Sequence, residues 1–426
     1  MRCHHFDAGT CRSCTLLDVP RHQQIEDAGR AVETLLHPFL RPGVDPDAVW
    51  GAPIISREAG FRTRAKMVVS GTAAAPVLGL APGAGGPAAD PHAGVDLTDC
   101  PLHQDGIQGV LEGVRALIRR AQVPPYDVAR RRGELKNVLV TASPDGEHLV
   151  RLVLRSDRAL DRIREHLPAL LEDLPSIRIV SANLHPEHKA VLEGEVEIPL
   201  VGPEALPIRL QDLTLFARPQ SFTQTNTEVA AALYQQVGAW VSELATARGT
   251  ADPLVIWDLY CGIGGFALHC VGPGRRVVGV EISAPAIASA CASRDLLRVQ
   301  HPDLAAEFHV ADATDWATTR LTEPRHPEAG PSDAAHPHAE HPDAGPAPAD
   351  NPDVVIVNPP RRGIGQRLAG LLEEHGPHDV LYSSCNPATL GADLGAMPAY
   401  RIIRAHLVDM FPHTRHDEVL VHLRRT

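Results

Sequence analysis

Between Asn137 and Leu200, four short runs rich in β-branched residues (VLVTAS, HLVRLVLRS, IRIVSANL and AVLEGEVEIPL) are interrupted by one stretch with helical spacing, DRALDRIREHLPALLEDL. Runs of that length with alternating polarity read as half-buried strands, whereas apolar residues three and four apart read as one face of a helix. Their order predicts an α+β unit with a largely antiparallel sheet. After Pro219 the rhythm changes. A helix (TEVAAALYQQVGAWVSELATA) leads into VIWDLY, RVVGVEI, the helix APAIASACASRDLL, and then EFHVAD, VVIVNPP and DVLYSS. Short, nearly all-apolar strands separated by helices are covered on both faces, which predicts a parallel, doubly wound α/β sheet of Rossmann type. The chain divides on this reading into a smaller α+β domain, residues 1–218, and an α/β domain, residues 219–426.

Two segments break the pattern. Residues 71–94 (GTAAAPVLGLAPGAGGPAADPHAG) and 323–352, built mostly of Ala, Pro, His, Asp, Glu and Gly, offer little apolar surface to offset the entropy of ordering and are expected to be disordered inserts. His336, His338 and His341 in the second are expected to be solvated rather than metal-bound.

Composition narrows the picture only modestly. With 426 residues, 44% hydrophobic and 22% charged, the chain is sized for two globular domains. It has no run of about 18 apolar residues that would span a bilayer, and MRCHHFDAGTCRSC is not a secretory signal, so no membrane association and a cytoplasmic location are expected. A net charge of −12 argues against a uniformly basic nucleic-acid binder, although Arg119-Arg120 and Arg130-Arg131-Arg132 form local basic blocks that are either phosphate contacts or solvated surface.

The chemistry is concentrated in the second half. DLYCGIGGFAL places Gly262, Gly264 and Gly265 just after a strand, where a tight turn and close ligand approach need residues without a Cβ. Glu281 ends the next strand about 20 residues on, where an acid can accept both hydroxyls of a ribose, so a nucleoside-bearing cofactor is indicated. Asp312 follows in HVADATDW, and Asn358 in VIVNPPRRG sits on a stiff Pro-Pro turn at the rim where such sheets bind ligands. Cys385, in YSSCNPATL, leaves the next strand. A cysteine there can be a small buried hydrophobe, but the following Asn-Pro holds the backbone out of helix and would turn the thiol toward a ligand. The remaining thiols cluster in sequence: Cys3, Cys11 and Cys14 have the spacing C-x7-C-x2-C, with Cys100 in DCPLH as a fourth. Without an oxidising compartment these read as metal ligands, and spacing alone does not choose zinc or an iron–sulfur cluster.

DLYCGIGGFAL, VVGVEIS, VNPPRRG and YSSCNPATL, together with RPQSFTQTNTEVA, resemble the RNA uracil-C5 methyltransferase family over nearly the whole chain. That resemblance implies S-adenosylmethionine as methyl donor, with Gln224, Tyr260, Glu281 and Asn358 at cofactor-binding positions. It implies Cys385 as nucleophile and Glu418, in HTRHDEVLVHL, as proton acceptor. A [4Fe-4S] cluster on Cys3, Cys11, Cys14 and Cys100 is likewise implied, with a structural role. The opening CxxxDAGxCRSC and Asn at 358 resemble the branch that methylates uridine 747 of bacterial 23S ribosomal RNA, and a cluster motif starting at residue 3 leaves no room for an N-terminal RNA-binding barrel. Transfer RNA or another ribosomal uridine as substrate, or an inert RNA-binding protein with the same fold, are the alternatives; no obligate protein partner is implied. The chemistry is coherent, because C5 of uracil is a poor nucleophile until a thiolate adds to C6, and the C5 proton must afterwards leave to a base.

Overall fold

The computed structural model of the chain describes residues 1–188, 193–211, 213–249, 252–322 and 351–426. Seven strands, β1 Arg64–Gly71, β2 Pro76–Leu80, β3 Val95–Asp96, β4 Leu135–Ala142, β5 His148–Leu154, β6 Ile177–Leu184 and β7 Val196–Val201, form the first sheet in the order β3-β2-β1-β4-β5-β6-β7. All neighbours are antiparallel except β5 and β6, which are joined through the helix Leu160–Asp173. That helix and Ile107–Arg120 cover one face, burying Val110, Val114, Leu117, Ile163 and Leu167 against Met67, Val69, Val138 and Val150. The other face carries polar side chains. Its centre is Arg151, fully buried and held by Glu193 and by a bidentate contact with Glu197.

A hairpin, β8 Leu206–Leu210 and β9 Leu213–Ala217, precedes the second sheet. This contains β10 Leu254–Leu259, β11 Arg275–Glu281, β12 Ala305–Val310, β13 Val354–Val357, β14 Asp379–Ser384, β15 Tyr400–Val408 and β16 Glu418–Arg425, in the order β12-β11-β10-β13-β14-β16-β15. The first five are parallel, as their apolar runs require: β10, β13 and β14 are buried at every position. The last two add an antiparallel hairpin, β16 pairing with β14. The chain reverses its direction of travel across the sheet between β10 and β13, so the crevice at the C-terminal ends of those strands is the expected ligand site.

Two expectations from the sequence are corrected. The division at residue 218 does not follow the packing. Val32 and Leu36 of the helix Arg21–Leu36, with Val49, are buried with Trp257, Tyr382 and Leu390 of the second sheet's core. The chain then runs alongside β15, with parallel bridges Leu40 to Ile402, Trp50 to Ala405 and Ile54 to Val408. It covers what would otherwise be an open sheet edge. The β8–β9 hairpin packs into the core on the other face of the second sheet, Leu206 and Leu215 being buried with Leu233 and Ile256. Secondly, residues 71–94 are not a disordered insert: they contain β2, which pairs with β1, and a loop whose Gly86 and Ala88 amides donate to the Thr10 and Gly9 carbonyls. Of the other insert, 323–352, all but residues 351 and 352, and with them His336, His338 and His341, lie outside the described residues. Among the described residues, no helix is long and apolar enough to cross a membrane.

Candidate active site

The crevice is built by consecutive strand ends. At the end of β10, Tyr260 has φ +71°, a left-handed conformation uncommon for a residue with a side chain. It is held there by its own amide and that of Cys261, both donating to the Val280 carbonyl, at 2.9 and 3.0 Å. Gly262 follows with φ +54° and no atom within 4 Å of where a Cβ would stand, so the backbone is left bare toward the cavity. Gly265 serves packing instead: a Cβ there would fall 2.5 Å from the Tyr234 ring. Asp258 braces the turn from beneath, accepting from the Ala267 amide at 2.9 Å, and complete burial pushes its carboxyl up to about 7.

Glu281 ends β11 and accepts from the Gly262 amide at 3.3 Å and the Ser283 amide at 2.9 Å. These two bonds fix the carboxylate at the mouth of the glycine turn. Asp312 follows β12 and accepts from the amides of Thr314 and Asp315, capping the helix Ala313–Thr322. Asn358 and its two prolines follow β13. Cys385 follows β14, where the Asn386 side chain caps the helix Pro387–Gly395 by accepting from the Ala388 amide. Glu418 opens β16. The β14–β16 register ends with Ser384 opposite Val419, so Glu418 stands one step further, beside Cys385.

Glu418 is 1% exposed and accepts a 3.1 Å hydrogen bond from the Ser383 hydroxyl. Burial pushes its carboxyl up to about 7 despite that bond. The Cys385 thiol is raised as well, first by burial and then by the Glu418 charge, while Arg361 pulls it down. A cavity of about 640 Å³ brings together all six residues singled out for cofactor and catalysis in this half: Gln224, Tyr260, Glu281, Asn358, Cys385 and Glu418. Asp312, Tyr234, Phe222 and Arg361 line it too. Arg361 had a signal in the sequence, the basic residue directly after Asn-Pro-Pro; Phe222, exposed although large and apolar, had none.

The four N-terminal thiols also meet. Cys3, Cys11, Cys14 and Cys100 line a second cavity, of about 330 Å³. Cys3 starts the short helix His4–Asp7, and the Leu102 amide donates to the Cys100 sulfur. Burial, reinforced by Cys100, Cys11 and Cys3, pushes the Cys14 thiol up to about 12. Phe222, Gln224 and Phe411 line both cavities, so the two adjoin.

A doubly wound sheet whose strand ends carry a bare glycine turn, an acid after the second strand and Asn-Pro-Pro after the fourth defines an α/β methyltransferase. The tRNA (uracil-5-)-methyltransferase family model matches residues 200–314 and 350–426. The chain is 41% identical over 426 residues, the full length of both proteins, to the 23S rRNA (uracil(747)-C(5))-methyltransferase RlmC of Cronobacter sakazakii, and 42% identical over 427 residues to that of Serratia proteamaculans. The fold matches that of a Pyrococcus abyssi tRNA (uracil-54, C5)-methyltransferase, solved with S-adenosyl-L-homocysteine, with a TM-score of 0.68 at 22% identity, covering 97% of this chain and 86% of that one. The chain belongs to this family of uracil-C5 methyltransferases.

Proposed function

We propose that the protein transfers a methyl group from S-adenosylmethionine to C5 of a uridine in 23S ribosomal RNA, at the position its relatives are named for, 747. The observation that carries this reading is that Cys385 and Glu418 stand side by side in the same cavity as Glu281 and the bare Gly262 turn. The cavity suits the donor: Glu281 is placed for a ribose, and the glycine turn leaves backbone open to a close ligand. When bound, the donor supplies the methyl group.

Cys385 gives up its proton to solvent, its thiolate Sγ adds to C6 of the uracil, and the electron pair of the C5–C6 double bond moves toward C5 and O4. The carbon–methyl bond then forms at C5 as the donor's sulfur–methyl bond breaks. Glu418 takes the C5 proton, and the pair left behind re-forms the double bond and expels the thiolate. With a carboxyl near 7, Glu418 exchanges protons readily at neutral pH, so its carboxylate can take the C5 proton and release it again to solvent. A stacked base reaches neither group, so the uridine has to be extruded.

Cys3, Cys11, Cys14 and Cys100 would hold a [4Fe-4S] cluster of structural role. Four thiols lining one cavity of about 330 Å³ are the donor set that an iron–sulfur cluster takes. All eight cysteines are free thiols.

The test is to incubate the protein with labelled S-adenosylmethionine and unmodified 23S ribosomal RNA or transfer RNA and to map the label. 5-Methyluridine at 747 is expected; the same product elsewhere keeps the chemistry and changes the substrate, and no 5-methyluridine in either RNA removes the reading.

A further inference from the structure

Arg62, Arg64 and Lys66 occupy alternate positions where the chain enters β1. Alternate residues of a strand share a face, and Ala65, Met67 and Val69 take the opposite one, in the core beneath the helices. All three cations line the thiol cavity. Their surroundings nevertheless differ. Arg62 acts on Cys14 and Cys100, lowering both thiols, whereas neither Arg64 nor Lys66 is among the principal charges on them. Arg64 turns the other way, its Nη1 donating to the Ser221 carbonyl at 3.4 Å, beside the Phe222–Gln224 wall of the methyl-transfer cavity.

Arg64 is 8% exposed and its Nε has no hydrogen-bond partner. The acid that acts on both Arg64 and Lys66 is Glu193, and it is already engaged by Arg151. Partial burial and then the Arg64 charge push the Lys66 ammonium below its ordinary range. Two cations on one strand face, sharing a single carboxylate that Arg151 already engages, form a place that is stabilised when an anion arrives.

We propose that Arg64 and Lys66 form a seat for RNA backbone phosphate next to the extruded uridine, where the two cavities adjoin. The inference rests on the RNA-methylating reading above. Alternate strand residues stand roughly 6.6 Å apart, a repeat that suits neighbouring phosphates of one strand. The arginine offers a planar donor fork and the lysine a point charge. The cations would hold the strand while the base enters the methyl-transfer cavity, a positioning role separate from Cys385 and Glu418.

The experiment compares Lys66→Ala, Arg64→Gln and a reference variant, Arg164→Ala, in the protein with its cluster. Arg164 is exposed on the helix covering the opposite face and pairs with Asp161. Binding to an unmodified 23S ribosomal RNA fragment is measured across a salt series, with KM for RNA and for S-adenosylmethionine and the reduction potential of the cluster. Each of the two cavity variants is expected to lower the slope of log affinity against log salt by about one and to raise KM for RNA roughly tenfold. KM for the donor and the cluster potential stay at wild-type values, as does everything in Arg164→Ala. Lys66 is exposed, so Lys66→Ala alone decides if Arg64→Gln does not fold. An unchanged slope and KM, with RNA still methylated by the wild type, overturns the assignment, and so does a shifted cluster potential with an unchanged slope, which gives the pair to the cluster. Wild-type protein that neither binds nor methylates RNA overturns the underlying functional reading instead.

Discussion

Cys385 and Cys14 are both half-buried thiols in adjoining cavities, yet their neighbours are of opposite kinds. Burial raises both. For Cys385 the next influence is a single carboxylate, Glu418, with Arg361 opposing it. For Cys14 it is three other thiols, and the sum reaches about 12. One thiol beside a proton acceptor can form and break a bond without a permanent partner. Four thiols that oppose one another's ionisation give up their protons together only to a multivalent cation. On the roles proposed above, what distinguishes the nucleophile from the ligand is the company of the sulfur, since its exposure is similar.

The strongest way to break that contrast is Cys385→Ala. Methyl transfer should fall by at least about 10⁴-fold, with S-adenosylmethionine binding by calorimetry unchanged; turnover within a hundredfold of wild type would reduce Cys385 to another buried thiol. Glu418→Gln should lower kcat by about 10²- to 10⁴-fold and let an RNA–protein adduct build up on a denaturing gel, because the thiolate cannot leave while the C5 proton remains. A slow variant that shows no adduct places the base elsewhere. Cys100→Ser probes the other cavity: bound iron should be lost and the unfolding midpoint should drop on the order of 10 °C, measured by elemental analysis and calorimetry. Full iron content would remove Cys100 from the ligand set.

The smallest effect concerns pH. The Glu418 carboxyl is raised on folding from 4.5 to about 7. A group raised in this way holds its proton more tightly when folded. Its contribution is therefore complete below about pH 4.5 and is lost as the pH rises through about 7. Glu418→Gln should remove on the order of 3 kcal/mol of that decline between pH 5 and pH 8, read from urea unfolding. Asp258, raised to about 7 by the same burial, contributes in the same direction, and Asp258→Asn should flatten the curve further. An unaltered pH profile in both variants would mean that neither acid is protonated in the fold.

The second half was legible because its signals are local: each apolar strand is followed within a few residues by a side chain that lines the cavity, Tyr260 after β10, Glu281 at the end of β11, Cys385 after β14. The rest depends on distant partners. The helix Arg21–Leu36 has an ordinary amphipathic pattern that does not say which core it joins, and the answer, β15 and its neighbours, lies more than 350 residues further on. Residues 71–94 look too poor in apolar residues to fold, and their order comes from strand pairing and from the carbonyls of Gly9 and Thr10. Contiguous basic runs such as Arg119-Arg120 and Arg130–Arg132 stand out in a sequence. A strand gathers charge at alternate positions, so R-x-R-x-K at 62–66 was the pattern to look for.

The chain from Leu40 to Ile54 lies along β15, in a hairpin whose other strand opens with Glu418. In the time order of synthesis, that early segment has nothing to lie against until Val408 has left the ribosome. At ordinary elongation rates the delay is roughly 20 to 70 s. The thiols at 3, 11 and 14 emerge at the start of that interval, and the sheet edge that their neighbouring segment covers is made at its end. Closure of that sheet edge is thereby a late event, and a nascent chain stalled before β15 would leave it open.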